Sequence, residues 1–119
     1  RNYMAHYEEF LIDQGADVAI QLELVEPTGA AKDLTGKTVT GSIKRTYNTP
    51  DSDAISFTSV VTDDVNGYVT LSLTNVQTSL MTAKKYLYDV EVSYQDSDLN
   101  TIIERVLEGV IQINPSVIR

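Results

Sequence analysis

The sequence predicts an all-β protein, an antiparallel β-sandwich of about seven short strands with one short helical link. Three observations carry this. Apolar and polar residues alternate at period two along most of the chain. Clusters of Gly, Pro, Asn and Asp punctuate the alternating runs. The helices of about ten or more residues that a parallel α/β fold needs between its strands are missing from the pattern.

The elements follow in order. Phe10, Leu11 and Ile12 make a short first strand. Val18, Ile20, Leu22 and Leu24 alternate with Ala19, Gln21 and Glu23, a half-buried strand that Pro27 and Gly29 end. Asp33, Leu34, Thr35 and Gly36 read as a turn, with Asp33 accepting a backbone N–H and Gly36 free to take positive φ. Val39, Gly41 and Ile43 alternate with Thr and Ser in the next strand, and residues 48–53 are a polar loop. Residues 55–73 read as a hairpin around Asn66-Gly67, a strong turn signal. Its alternation breaks at Val60 and Val61, which predicts a bulge or a change of face.

Thr74 is a candidate N-cap, and Val76, Leu80 and Met81 have helical spacing, so one or two helical turns are expected. Tyr86, Tyr88, Val90, Val92 and Tyr94 then form the cleanest alternating strand. Residues 102–113 are long for one strand and neither face is purely apolar, which predicts a bulge near Gly109 before Pro115 ends the run. The expected organisation is an arm at 1–9, one domain at 10–115 and a tail at 116–119.

Length and composition agree. The chain has 119 residues, 42% of them hydrophobic and 22% charged, which suits one globular domain and no second. It has no cysteine, so disulfides, thiolate zinc sites and cysteine catalysis are excluded. A formal net charge of -8 repels phosphate backbones and anionic bilayers, so neither a nucleic-acid nor a membrane partner is expected. No run of about 18 apolar residues suggests a spanning helix. No apolar stretch of signal-peptide type follows the start, and Arg1 is expected to lie within a longer or trimmed product.

Candidate chemistry is sparse. His6 is the only histidine and lies in the arm, where no nucleophilic triad can be placed on it. Asp-Ser-Asp occurs at residues 51–53 and 96–98, and Asp63-Asp64 adds a third acidic loop. Such loops supply calcium ligands or, more simply, stabilise turns. Glu104 and Glu108, if on one face of a regular strand, lie about 13 Å apart, beyond either glycosidase geometry. No Trp is present to stack on a sugar. No enzyme activity, cofactor or metal is expected.

The aromatics are more informative. Tyr86 and Tyr88 suit a core, with a hydroxyl bonded to backbone, or else a Tyr patch. Tyr3 and Tyr7 in the arm, with Phe10 and Tyr47, are candidate contact residues. Arg45 and Arg105, each beside acids, are either surface ion-pair partners or interface anchors.

Four segments read together resemble a family. They are residues 10–15 leading into the Val18 strand; residues 33–39 with Ile43, Lys44, Arg45, Thr46 and Tyr47; residues 67–73 with the helical link and residues 86–92; and residues 105–109 closing at Pro115. Together they resemble the immunoglobulin-like structural domains of tailed-bacteriophage virions, and are similar to the N-terminal domain of baseplate upper proteins. One departure is Ala83-Lys84-Lys85, where such domains often have a Gly.

The resemblance implies an immunoglobulin-like sandwich. It also implies a non-enzymatic virion component of tail, baseplate or neck, docking other virion proteins in a multi-copy symmetric assembly, with homo-oligomers possible. Its alternatives are a capsid decoration protein and, from another class, a calcium-dependent glycan-binding adhesin. The adhesin needs both Asp-Ser-Asp loops at one end of the sandwich.

Overall fold

The computed structural model describes residues 6–118. Eight strands form two sheets. The larger has the order β1 (His6–Asp13), β8 (Thr101–Asn114), β7 (Lys85–Gln95), β3 (Thr38–Lys44) and β4 (Ile55–Ser56). The smaller has the order β2 (Val18–Glu23), β6 (Tyr68–Leu73) and β5 (Thr58–Asp63). One short helix, α1 (Asn75–Ser79), links β6 to β7. The all-β expectation holds.

Period-two alternation sets the layers. On β7, Tyr86, Tyr88, Val90 and Val92 are buried, while Leu87, Asp89, Glu91 and Ser93 between them are partly exposed. Val69, Leu71 and Leu73 of β6 bury the facing side of the second sheet. Each such side chain contributes roughly 1.5–3 kcal/mol on leaving water. Both core tyrosines bond to backbone, as the core reading requires. The Tyr88 hydroxyl donates to the Glu8 carbonyl at 2.8 Å, and the Tyr86 hydroxyl accepts from the Ala83 N–H at 3.2 Å.

Local signals place the connections. Thr74 caps α1 in a reciprocal box with Gln77. Thr78 is fully buried, accepts from the Gly15 N–H at 3.0 Å and donates to the Ala16 carbonyl at 2.8 Å, tying the helix to the β1–β2 turn. Asp33 accepts from the Thr35 N–H, and Gly36 and Gly67 take positive φ at their turns.

Phe57 carries the chain from one sheet to the other. β4 pairs with β3, β5 pairs with β6, and Phe57 lies between them. Its N–H donates to Gly41 and its ring meets Tyr88 edge-on at 6.4 Å. A Cβ on Gly41 would fall 2.7 Å from that ring. The 55–73 segment is therefore a β5–β6 hairpin preceded by a short strand of the other sheet. A register shift also occurs between Val61 and Asp63, close to the expected break.

Four expectations are corrected. Residues 6–9, expected within an arm, are the first half of β1, because a partner in β8 is available to them. That pairing is parallel, in a sandwich otherwise paired antiparallel. The β8 bulge lies at Val106 instead of Gly109: Val90 faces Leu107 and Glu91 faces Arg105, so Val106 is the extra residue. Gly109 has another cause, since a Cβ there would fall 1.8 Å from the Glu8 carbonyl oxygen. The bulge also separates Glu104 from Glu108. Glu104 pairs with inward-facing Val92, and Glu108 pairs with outward-facing Asp89.

Glu104 reaches a buried cation that the sequence did not mark. The Lys32 ammonium, in a residue only 3% exposed, lies 2.9 Å from Glu26 and 3.0 Å from Glu104. Burial pulls its pKa down, and hydrogen bonds and charge from the two carboxylates more than restore it, leaving it above the ordinary lysine value.

Candidate functional site

The outer face of the five-stranded sheet carries an open groove of about 550 Å³. Side chains that alternate with the core set build it. Leu87, Asp89 and Glu91 come from β7, Glu108 and Val110 from β8, and Ser42 and Lys44 from β3. Tyr7 of β1 and Thr46, Tyr47 and Asp51 of the β3–β4 connection complete the lining.

The bulge is what brings Arg105 here. Leu107, Ile111 and Ile113 point inward, and on an unbroken strand Arg105 shares their face. With Val106 taken up in the bulge, Arg105 turns outward. Its guanidinium lies 3.5 Å from Asp89 and 3.3 Å from Glu108. Lys44 pairs with Asp51, whose carboxyl is held below its ordinary pKa by the lysine hydrogen bond and charge. The lining thus carries four carboxylates (Asp51, Asp89, Glu91, Glu108) against two cations. Glu91 makes no ion pair among the described residues.

Tyr7 and Tyr47 add aromatic surface, at 56% and 85% exposure. The Tyr7 hydroxyl donates to Glu9 at 3.4 Å. Its pKa is raised by partial desolvation and then by the Glu9 carboxylate and the nearby Tyr47. Phenol rings, a guanidinium, carboxylates and an aliphatic floor from Leu87 and Val110 thus share one open face, a mixture of the kinds of side chain found at protein interfaces.

A second groove of about 720 Å³ is lined from β1, β2 and β8, where the edge strands β1 and β2 of the two sheets both border it. Leu22, Leu24, Val106 and Leu107 give it apolar walls, and Tyr7 and Glu8 its rim. Tyr7 therefore borders both grooves.

Of the residues singled out from sequence, Tyr7, Tyr47 and Arg105 converge on the outer-face groove. Phe10 faces the other way, with its ring 5.2 Å from Tyr88 at the core. Arg45 is exposed just beyond β3 and does not line the groove. Tyr3 lies outside the described residues. Sequence reasoning did not mark Lys44, Asp89 and Glu91 as site residues, and it weighed Asp51 and Glu108 only as a loop carboxylate and as half of a glutamate pair. The signal was there, since the polar half of each alternating strand must share a face, but which strands are neighbours was not legible.

The Asp-Ser-Asp loops are at opposite ends of the large sheet. β3 and β7 pair from Thr38–Ser93 to Lys44–Leu87, so the loop after Lys44 and the loop after Gln95 are a strand length apart. This corrects the geometry the calcium-dependent adhesin requires. Asp96 instead accepts N–H groups of Asp98 and Asn100, both at 2.9 Å, as a turn stabiliser.

No family model matches the chain. No curated protein matches it in sequence. Among solved structures, it is similar in fold to the N-terminal domain of phage TP901-1 ORF48, with a TM-score of 0.61 at 12% sequence identity, over 92% of this chain and 98% of that one.

Proposed function

We propose that the protein is a structural module of a phage virion, a non-enzymatic adaptor at the tail, baseplate or neck that docks other virion proteins in many copies. The observation that carries this is the likeness to a phage domain, which extends over nearly the whole of both chains. The outer-face groove supports it: Tyr and Arg, the side chains most often dominant at interfaces, line an open surface there. A repeated site makes modest contacts sufficient, because effective concentration multiplies them.

Antibodies against the chain, applied to intact phage particles and viewed by electron microscopy, test this reading. Label clustered at the tail tip or neck is the expected result. Label spread over the head assigns the capsid-decoration alternative. Unlabelled particles from a culture that makes the protein overturn the virion assignment.

A further inference from the structure

Among the described residues, β1 has a strand neighbour on one side only. The Gln14 N–H, just past the end of β1, donates to the carbonyl of Asn114, the last residue of β8, and the Glu8 carbonyl lies against Gly109. In an extended strand the N–H and C=O of one residue point to the same side, and the side alternates along the chain. Even-numbered residues of β1 therefore face β8. Tyr7, Glu9 and Leu11 turn their backbone groups toward the open edge.

Exposed edges are usually blunted by proline, by a bulge or by a covering loop. β1 pairs with β8 without a register break over all eight residues and contains no proline. Among the described residues its protection is charge, from Glu8, Glu9 and Asp13. Those charges oppose a second copy, which would bring acids against acids. They favour a cationic strand, and the acid excess of the adjoining groove points the same way. Leu11, at 72% exposure, and Tyr7 stand beside the edge as apolar cover for such a strand.

We propose that the open edge of β1 accepts an extended, lysine- or arginine-bearing strand of a partner protein by β-augmentation, through the backbone of Tyr7, Glu9 and Leu11. The proposal rests on reading the chain as a docking module, but not on its place in a particle.

An eight-residue peptide of alternating lysine and valine, the length of β1, is the probe. Its glutamate–valine counterpart is the control. Binding is read from amide shifts of the isotope-labelled protein. The expected result is binding of the lysine peptide with its largest shifts at Tyr7, Glu9 and Leu11, weakening with salt. Leu11→Pro removes an open-side donor and leaves the β8 ladder intact. Loss of one such bond should weaken the peptide by about tenfold at an unchanged melting temperature. Glu9→Lys keeps the test decisive if the proline variant fails to fold, since it should weaken the lysine peptide and strengthen the glutamate one.

Equal binding of both peptides to the native protein overturns the proposal, as does no binding at about 1 mM peptide. Self-association of the protein through β1, seen in sedimentation, overturns it in favour of a second copy. These outcomes are independent of antibody labelling, so failure of this proposal and failure of the virion assignment are distinguishable.

Discussion

Single residues hold this sandwich at two long-range contacts. At Gly109 any side chain meets the Glu8 carbonyl, a backbone atom that can yield only by moving β1. Gly109→Ala should therefore cost about 2–3 kcal/mol. Hydrogen exchange should quicken at β1 amides before those of β7, and equal loss across both strands would contradict this. The second contact is the Lys32 triad. Because its pKa is raised in the folded state, its contribution is complete below the ordinary lysine value of 10.5 and is lost as pH rises through the folded value. Tyr88, raised by burial and then by the Glu8 carboxylate and Tyr7, acts in the same direction above its ordinary 10.0. Stability should fall above about pH 10, and Lys32→Met should flatten the fall in alkaline melts while costing about 2 kcal/mol at neutral pH. A slope unchanged in the variant would assign the alkaline loss elsewhere. Capping at Thr74 and turns at Gly36 and Gly67 were legible because their chemistry is local. Lys32 and Gly109 were not, because their reasons lie about 70 and 100 residues away in the chain.

Among the elements, β8 shows how a one-residue insertion decides a surface. Before Val106 its even-numbered residues face inward, and after it the odd ones do. The doublet Val106-Leu107, buried at both positions, marks the change of phase, whereas the glycine that drew attention marks a close approach. Deleting Val106 would restore a regular ladder, with Arg105 still outward beside Glu91 and Leu107 still inward beside Val90, because only the extra residue is removed. The loss is one buried valine side chain, roughly 1.5–3 kcal/mol. The deletion variant is expected to melt cooperatively at a lower temperature with its near-ultraviolet tyrosine dichroism kept. Loss of cooperative melting would show that the bulge itself holds the fold. Strand positions themselves were largely readable, since alternation is local and β7 and β6 display it cleanly. The partner of β1 was not, because nothing within residues 6–13 names a strand from the far end of the chain.

For the whole molecule, the outer-face groove is assembled from four strands and a loop, so only the members whose residue type stands out could be anticipated. Tyr7, Tyr47 and Arg105 stood out by residue type, while the carboxylates beside them looked like ordinary solvated strand positions. Exposure separates stability from recognition here. Tyr47→Ala should leave the melting temperature within about a degree, since an 85%-exposed ring contributes little to folding. The same change should weaken capture by disrupted phage particles by at least about tenfold if the groove is the contact surface. Unchanged capture would move the contact to another face. With a net charge of -8, capture is also expected to fall as salt rises, if the partner surface is basic.

The parallel pairing of β1 with β8 has a mechanical consequence. His6 lies beside Leu107 at one end of the shared ladder, and Asp13 lies beside Asn114 at the other. A pull on the chain before His6 and after Asn114 loads the two strands along their length in opposite directions. Every rung of the ladder then bears the force together, in shear, instead of opening one after another as in a peeled hairpin. A domain tied this way resists extension through the height of its unfolding barrier more than through its equilibrium stability.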